Sequence, residues 1–567
     1  MRTPGRHDGA PAGPSPAELF TPKLITVLRE GYGLARLRAD AVAGLTVAIV
    51  ALPLSMAIAI ASGASPDRGL YTAIVGGFLV SALGGSRFQI GGPAGAFIVL
   101  VAATVLQHGI EGLMLATFLS GIILLAVGLL RLGSYVKFIP YPVTVGFTAG
   151  IAVIIFASQL RPFLGLHLEG PEPGPLLEKL PALWEGLASL SPATLALALG
   201  TVVLIALLKR FRPGWPGMLV AVVAGGLATA LLGLEVETVG SVYGGIPRGL
   251  PAPALPDLSW EKVQAVLPSA ISFALLGAIE SLLSAVVADG MTGRRHRSNC
   301  ELVAQGVANM GSACFGGFCV TGTIARTATN VRAGAQGPVS GMLHALFLLA
   351  FLLVAAPLAS FIPLAALAGV LAYVAWNMLE REAFWSLLKA SRGDAAVLLA
   401  TFLLTVFRDL TEAIVVGFSL GALLFIHRMS KSTAVETQWL QQVEDRADTA
   451  DGEREPYDAA LASDPGVVVF RVSGAFFFGT AGSVAAVLDR IADRHRHLVI
   501  DLAEVPFLDS TGAVTIRGLA EKLHRKGIRL SITGSGPEVR AQLMLHGAKP
   551  PLLAFQGSIG EALRRKD

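Results

Sequence analysis

The sequence predicts an α-helical polytopic membrane protein with a small α/β domain at its C-terminal end. Three observations predict it. First, the 567 residues are 53% hydrophobic and only 15% charged, against about 25% charged in soluble domains, and the mean hydropathy is +0.64. The charge deficit sits in the first three quarters of the chain, where apolar runs long enough to span a bilayer recur. Second, two short apolar segments broken by glycine occupy matching places in two apolar halves. One starts at Gly91-Gly92-Pro93-Ala94-Gly95-Ala96 and the other at Val320-Thr321-Gly322-Thr323-Ile324-Ala325-Arg326, each about 50 residues after the first long apolar helix of its half. Third, the composition changes sharply after Ile426-His427-Arg428, from apolar runs to an acidic stretch and then to alternating strand and helix patterns.

In chain order, residues 1–20 are rich in Pro, Gly and Ala and lack the apolar core of a signal peptide. They begin a disordered tail that extends to residue 30. Residues 31–430 form the membrane part. About fourteen spans have cores near 41–60, 70–84, 93–107, 112–130, 141–160, 195–208, 216–233, 266–288, 300–317, 323–331, 338–358, 362–379, 395–407 and 410–427. Basic residues should crowd the cytoplasmic loops. With the N-terminus inside, fourteen spans place Arg36, Arg38, Arg87, Arg131, Lys209, Arg294, Arg295, Arg297, Arg332, Arg392 and Arg428 inside. The outer loops then hold Glu169, Glu172, Glu178, Glu185, Glu235, Glu237 and Asp257. Both termini are thus expected in the cytoplasm of a bacterial inner membrane protein. The net charge of +4 is small, and its spread over loops gives no reason to expect a nucleic-acid partner. The three cysteines, Cys300, Cys314 and Cys319, have no framework spacing and are read as small apolar residues.

Residues 431–465 carry Glu436, Glu444, Asp445, Asp448, Asp451, Glu453, Glu455 and Asp458 and read as an acidic linker. Residues 466–562 read as a compact α/β domain. Strands are expected at 467–472, 497–502 and 528–532, and helices at 483–492, 515–524 and 537–545.

The paired broken segments carry the chemistry. Two half-helix N-termini facing one another at mid-membrane hold an anion without a full protein charge, because each helix start presents about half a positive charge and open N–H groups. Ala94, Gly95 and Ala96 open the first half-helix. Thr321, Gly322, Thr323, Ile324 and Ala325 open the second, with the threonine hydroxyls as extra donors. Arg326, one residue inside the second, raises the positive potential there, since an arginine at membrane depth is usually functional. Glu280 lies mid-span as the one acid deep in an apolar run, with Ser284 one turn later on the same face. A carboxyl group in that position is a candidate proton carrier. Tyr141 and Trp376 read as interfacial anchors, and His344, alone in an apolar helix, reads as a packing residue. No constellation suggests a metal, a cofactor or an enzyme.

These motifs resemble the sulfate permease (SulP) anion transporters. The likeness rests on Asp40-Ala41-Val42-Ala43-Gly44-Leu45-Thr46-Val47-Ala48 followed by Ala51-Leu52-Pro53, on Gly91-Gly92-Pro93-Ala94-Gly95, on Glu280-Ser281-Leu282-Leu283-Ser284, and on Ala325-Arg326-Thr327-Ala328-Thr329-Asn330. The C-terminal domain is similar to a STAS domain, with Asp509-Ser510-Thr511-Gly512 at its strand-to-helix turn. The resemblance implies a 7+7 inverted repeat, with segments 1–4 and 8–11 as a mobile core and segments 5–7 and 12–14 as a gate. It places Leu54, Ser55 and Ile58 of the first helix at the cavity. Family members often have a polar residue where this chain has Leu54, so Ser55 is the candidate to stand in. Relatives with aspartate at the Glu280 position can serve sodium; glutamate points instead to the proton. Thr511 or Ser510 matches a turn that is phosphorylated in soluble relatives of the domain. A homodimer and a cytoplasmic partner of the STAS domain are also implied.

The resulting expectation is a secondary transporter working by alternating access, coupling a proton to a small dicarboxylate, sulfate or bicarbonate. Gly322-Thr323-Ile324-Ala325-Arg326 through Asn330 resembles bacterial members associated with C4-dicarboxylates. The alternatives are an uncoupled channel or exchanger on the same fold, a nucleobase permease, and a membrane sensor signalling through the C-terminal domain.

Overall fold

A computed structural model of the chain describes residues 19–133, 140–170, 172–408, 410–431, 434–438, 466–477, 480–481 and 495–564. It divides into two units, Met1–Phe418 and Ser419–Asp567.

The first unit is built from helices. A short α1 (Lys23–Arg29) precedes α2 (Leu34–Ala61), which is mostly apolar beyond Asp40 and carries Pro53 in its interior. Next, α3 (Pro66–Tyr71) passes through a π-helical turn, Thr72–Gly76, into α4 (Gly77–Leu83). A two-residue strand β1 (Gly91–Gly92) and a 3₁₀ turn (Gly95–Phe97) lead into α5 (Ile98–Leu129). Gly109 breaks this long helix in two, with φ 68° and ψ −173°, so residues 93–107 and 112–130 remain separate segments as the sequence predicts. The half closes with α6 (Tyr141–Leu164), α7 (Leu176–Glu185), α8 (Pro192–Phe211) and α9 (Gly217–Leu232).

The second half repeats the pattern. A single-turn α10 (Val239–Tyr243) precedes α11 (Trp260–Thr292) and α12 (Ser298–Cys314). Then β2 (Thr321–Gly322) opens α13 (Ile324–Arg332), followed by α14 (Val339–Ala359), α15 (Leu364–Met378), α16 (Arg381–Ala390), α17 (Arg392–Phe407) and α18 (Leu410–Lys431). Among the described residues, seven helices are long and apolar enough to cross a membrane. Their outward faces are apolar: Val354 is 81% exposed and Leu106 66%, which suits hydrocarbon and would be a liability in water. The helices cross where side chains vanish. A Cβ on Gly306 would lie 2.7 Å from the carbonyl oxygen of Gly121, so α5 and α12 touch backbone to backbone.

Several expectations are adjusted. The first 18 residues of the expected tail lie outside the described residues, but residues 23–29 are helical, with Val27 fully buried and the Lys23 N–H bonded to Gly84 O at 2.9 Å. The short amphipathic helices α7 and α16 escaped a reading keyed to span length.

The second unit holds a five-stranded sheet in the order β3-β4-β5-β6-β7. The strands are β3 (Ala434–Gln438), β4 (Val467–Ser473), β5 (His497–Glu504), β6 (Arg529–Thr533) and β7 (Ala554–Gln556). Only the β3–β4 pair is antiparallel. The helices α19 (Ser510–Arg525), α20 (Pro537–Leu545) and α21 (Ile559–Arg564) complete it. The core joins Phe470, Ile500, Ile516 and Leu543, all within 1% of full burial. β3 falls inside the stretch read as linker, because a strand of alternating Ala, Val, Glu and Thr looks like solvated chain until its partner β4 is known. The rest of that linker, 439–465, and the expected helix at 483–492 lie outside the described residues.

Candidate anion site

The two broken segments meet. β1 pairs antiparallel with β2, Gly91 facing Gly322 and Gly92 facing Thr321. Immediately beyond this ladder the chain turns into a helix on each side, at the Gly95–Phe97 turn and at α13. The first turns of both leave N–H groups outside any helical ladder, so two positive helix ends converge beside one short sheet.

Side chains brace the crossing. The Thr323 N–H and Oγ1 both donate to Ile90 O, at 2.9 and 3.1 Å. The Ile90 N–H donates to Thr327 Oγ1 at 3.1 Å, and Ser284 Oγ lies 3.0 Å from the same hydroxyl. Thr321 Oγ1 donates to Gly277 O at 3.2 Å, holding β2 against α11. Gln89 Nε2 donates to Ser281 Oγ at 2.7 Å. On the approach to β2, Asn309 clasps Val320 through both its amide atoms, at 2.9 and 3.0 Å. The π-helical turn serves the same loop: Thr72 Oγ1 donates to Arg68 O at 2.8 Å and accepts from the Phe318 N–H at 2.9 Å.

Arg326 lies against this ladder, 2% exposed. Its Nη2 donates to Ser55 Oγ and to Pro93 O, both at 3.2 Å. A Cβ on Gly92 would collide with Nη1 and stand 3.3 Å from Cζ, so only glycine lets the guanidinium lie there. Ser55, and not Leu54, is therefore the first-helix residue in contact with the site's cation. Leu54 and Ile58 are buried beside it, 8% and 2% exposed.

The other residues divide by exposure. Gly95 and Glu280 are half-buried, while Ile324 and Ala325 are exposed. A Cβ on Gly95 would meet Ile155 Cδ1 at 3.2 Å and Met378 Sδ at 3.6 Å. Ala94, Ala96, Thr321, Gly322, Thr323 and Ser284 are buried. Ser284 turns to Thr327, so it ties α11 to α13. Glu280 has neither a hydrogen bond nor an ion pair among the described residues, and Arg326 is not its partner.

Glu280 is not the sole acid at depth. Asp40 and Glu301 are both fully buried. Asp40 Oδ1 accepts from the Gln336 and Gly337 N–H groups at 2.5 and 3.2 Å, and Oδ2 accepts from Tyr32 at 2.6 Å. Glu301 Oε2 accepts from the Ser86 N–H at 3.0 Å and Oε1 from Gln305 at 3.1 Å. Glu301 fastens the loop leading to β1, and Asp40 fastens the turn that follows α13. They escaped notice because each stands near the end of an apolar run, where a charge normally reaches water. Gln89 has no signal of its own in the sequence, and Thr327 and Asn330, quoted only within the family motif, share one face of a nine-residue helix with Arg326. His344 is fully buried, and neither ring nitrogen has a partner among the described residues.

In the second unit, Asp509 caps α19, its Oδ1 accepting from the Gly512 N–H at 2.8 Å. Ser510 and Thr511 are exposed in the first turn. His497, 6% exposed, shares a 2.9 Å hydrogen bond with Ser531, and burial lowers its pKa.

Comparison with known proteins agrees with this architecture. The family model described as "Sulfate permease family" matches residues 37–401, and that of the STAS domain matches residues 458–562. YvdB of Bacillus subtilis, named as a candidate sulfate transporter, is 39% identical over 508 residues, covering 89% of this chain and 93% of its own. The bicarbonate transporter BicA of Picosynechococcus is 33% identical over 522 residues, covering 89% and 90%. The structure of murine Slc26a9, an anion transporter in the inward-facing state, superposes with a TM-score of 0.83 at 18% identity, covering 98% of this chain and 96% of that one. At that identity the likeness speaks for fold alone.

Proposed function

Because the chain belongs to the sulfate permease family, we propose that it carries a small oxyanion by alternating access, coupled to the proton through Glu280. It is a multi-pass membrane anion transporter with a C-terminal STAS domain, and not an enzyme. The observation that carries the finer reading is the β1–β2 ladder, which sets two half-helix N-termini side by side. The anion lies against Gly95, Ala96, Ile324 and Ala325, in the field of Arg326. Glu280, unpaired and half-buried on the helix that backs β2, takes up the proton. Sodium is less favoured there than the proton.

Sulfate and bicarbonate head the list of anions, since the similar proteins carry those names; a C4-dicarboxylate stays on it through the α13 sequence. Fourteen spans, a core moving against a gate, cytoplasmic termini in a bacterial inner membrane, a homodimer and a partner for the STAS domain belong to the same proposal. So does phosphorylation at Ser510 or Thr511, where phosphate would meet a helix N-terminus.

The test is uptake of labelled fumarate, sulfate and bicarbonate into proteoliposomes, with and without an inward proton gradient, for the wild type and Glu280→Gln. Gradient-driven uptake of one anion that disappears in the variant supports the reading. Uptake indifferent to gradient and substitution sinks the role of Glu280 and leaves an uncoupled channel or exchanger.

A further inference from the structure

Close approaches at glycine sort the helices of the first unit into two groups. In one, a Cβ on Gly44 of α2 would collide with Ser340 O of α14, and one on Gly341 of α14 with Ser81 of α4. In the same group a Cβ on Gly306 of α12 would lie 2.7 Å from Gly121 O of α5, and Ser281 ties α11 to Gln89. In the other group, a Cβ on Gly146 of α6 would lie 2.5 Å from Leu398 O of α17, and one on Gly369 of α15 2.8 Å from Ala198 O of α8. A Cβ on Gly225 brings α9 to Ala366 Cβ of α15 at 3.3 Å. Helices interlocked this closely move as bodies. Where Gly95 of the first group approaches the second, it meets side-chain ends, Ile155 Cδ1 and Met378 Sδ.

The chain passes between the groups at residues 130–140, 233–259 and 360–363. The last two passages are bonded to each other. The Val239 N–H donates to Ile362 O, the Gly240 N–H to Ser360 O and the Leu364 N–H to Glu237 O, each at 2.9 Å. Thr238 faces Pro363 in an antiparallel bridge, at a position where the pairing asks for no N–H and a proline is therefore at home. Val239 is fully buried, and a Cβ on Gly240 would lie 2.8 Å from Ser360 O. The end of α9 closes on the same connector, a Cβ on Gly226 standing 3.2 Å from Phe361 O.

The two passages differ in slack. α14 ends at Ala359 and α15 starts at Leu364, so one passage is only Ser360–Pro363. The other leaves α10 without regular structure, through Gly244 at φ 71° and Gly249 at φ 153°. It is next held where the Ala254 N–H donates to Cys314 O at 2.8 Å, at the end of α12. Nothing lies within 4 Å of a Cβ on Gly244 or Gly249, so glycine there serves the backbone alone. A tight passage and a slack strap, joined at one point, let the first group turn about that point without leaving it.

We infer that the paired connectors, residues 237–240 and 360–364, are the fixed pivot of the transport cycle: the joint stays closed while the first helix group swings against the second, and the chain flexes at Ser360 and in residues 244–253. This rests on the alternating-access reading, and it goes beyond that reading in naming the point that does not move. Motion about such a joint is a hinge, with displacement growing away from it, and not a uniform slide of one group along the other.

Thr238→Cys combined with Pro363→Cys tests the pivot. A non-hydrogen-bonded antiparallel pair stands about 4.5 Å apart at Cα, within the roughly 4.4–6.8 Å that a disulfide bridges. Labelled sulfate and bicarbonate uptake is measured in proteoliposomes for the oxidised and the reduced pair, with the wild type under the same oxidant as control. The oxidised pair should transport as fast as the reduced one. Gly240→Ala, whose methyl pries the connectors apart, should lower the maximal rate several-fold at unchanged KM, and the disulfide should restore it. Failure of the pair to cross-link, uptake abolished by oxidation and recovered with reductant, or wild-type kinetics in Gly240→Ala overturns the pivot while leaving anion transport standing. If neither anion is taken up by the wild type, the transporter reading fails separately, and hydrogen exchange in the purified protein still decides whether the joint stays closed. The Val239, Gly240 and Leu364 amides should remain protected with and without bicarbonate; exchange as fast as in residues 244–253 overturns the assignment.

Discussion

Gln89 and Ser281 join the two halves of the membrane unit beside the β1–β2 crossing: the 2.7 Å bond from Gln89 Nε2 to Ser281 Oγ ties the lead-in of β1 to the residue that follows Glu280. Both side chains are buried, so the bond is shielded from water. Ser281→Ala strands the Gln89 amide and should lower stability by about 1–3 kcal/mol. Gln89→Leu should cost a similar amount, and the double variant clearly less than the sum, since the two changes remove one interaction. Thermal unfolding of the purified protein in detergent gives the cycle; strict additivity would show the bond to be energetically silent.

Gly92→Ala places a methyl where the Arg326 guanidinium lies. The guanidinium must move, breaking its contacts with Ser55 and Pro93. Anion uptake should show KM raised about tenfold or more, one such lost charge-assisted contact being worth about 1.5–3 kcal/mol. Gly290→Ala is the control, because nothing lies within 4 Å of a Cβ there, and its uptake kinetics should match the wild type. Equal kinetics in both variants would detach Arg326 from the site.

Asp40→Asn tests a loop fastening. The carboxylate accepts three hydrogen bonds, from Tyr32, Gln336 and Gly337, and an amide oxygen cannot replace both carboxylate oxygens. Stability should fall by about 1–3 kcal/mol. Tyr32→Phe removes one donor from the exposed side and should cost less. The comparison is read from the midpoints of heat denaturation followed by loss of monodisperse protein.

The second unit should weaken in acid through His497. Its pKa is lowered by burial, so the unfolded chain binds the proton more readily than the folded one. The stabilisation is therefore present above the unfolded pKa of about 6.5 and is lost as pH falls from there toward the folded value. Protease cleavage within residues 466–562 of the full-length protein should accelerate over that window in the wild type. His497→Asn, which can still reach Ser531, should flatten the dependence.

The sequence made the large features legible because they follow from solvent. Apolar runs declared the spans, and Gly91-Gly92 with Thr321-Gly322 declared the two breaks, since a helix interrupted in hydrocarbon needs another backbone to complete it. Their direct pairing, Gly92 opposite Thr321, was one step further: two residues make no strand signal. Side-chain roles were less visible. Ser284 shares a helical face with Glu280, yet it turns to Thr327 once α13 is in place. Asp40 and Glu301 looked like ends of spans, and only the folded loops Gln336–Gly337 and Gly85–Ser86 reveal why a carboxylate is held there. β3 was hidden for the same reason, its partner β4 lying some 30 residues downstream beyond an acidic stretch.

The β1–β2 ladder has a bearing on how the protein is made. Gly91 leaves the ribosome long before Gly322, and nothing in the first half supplies the hydrogen bonds that Ile90 and Gly92 take from the second. Until synthesis passes β2, the first half-helix is an unfinished end within the membrane, with its polar backbone awaiting a counterpart. Biogenesis must therefore shelter that end, in the insertion machinery or behind its own neighbours, until β2 has been made. A chain cut after α9 and before Thr321 would keep β1 but lack the strand that pairs with it.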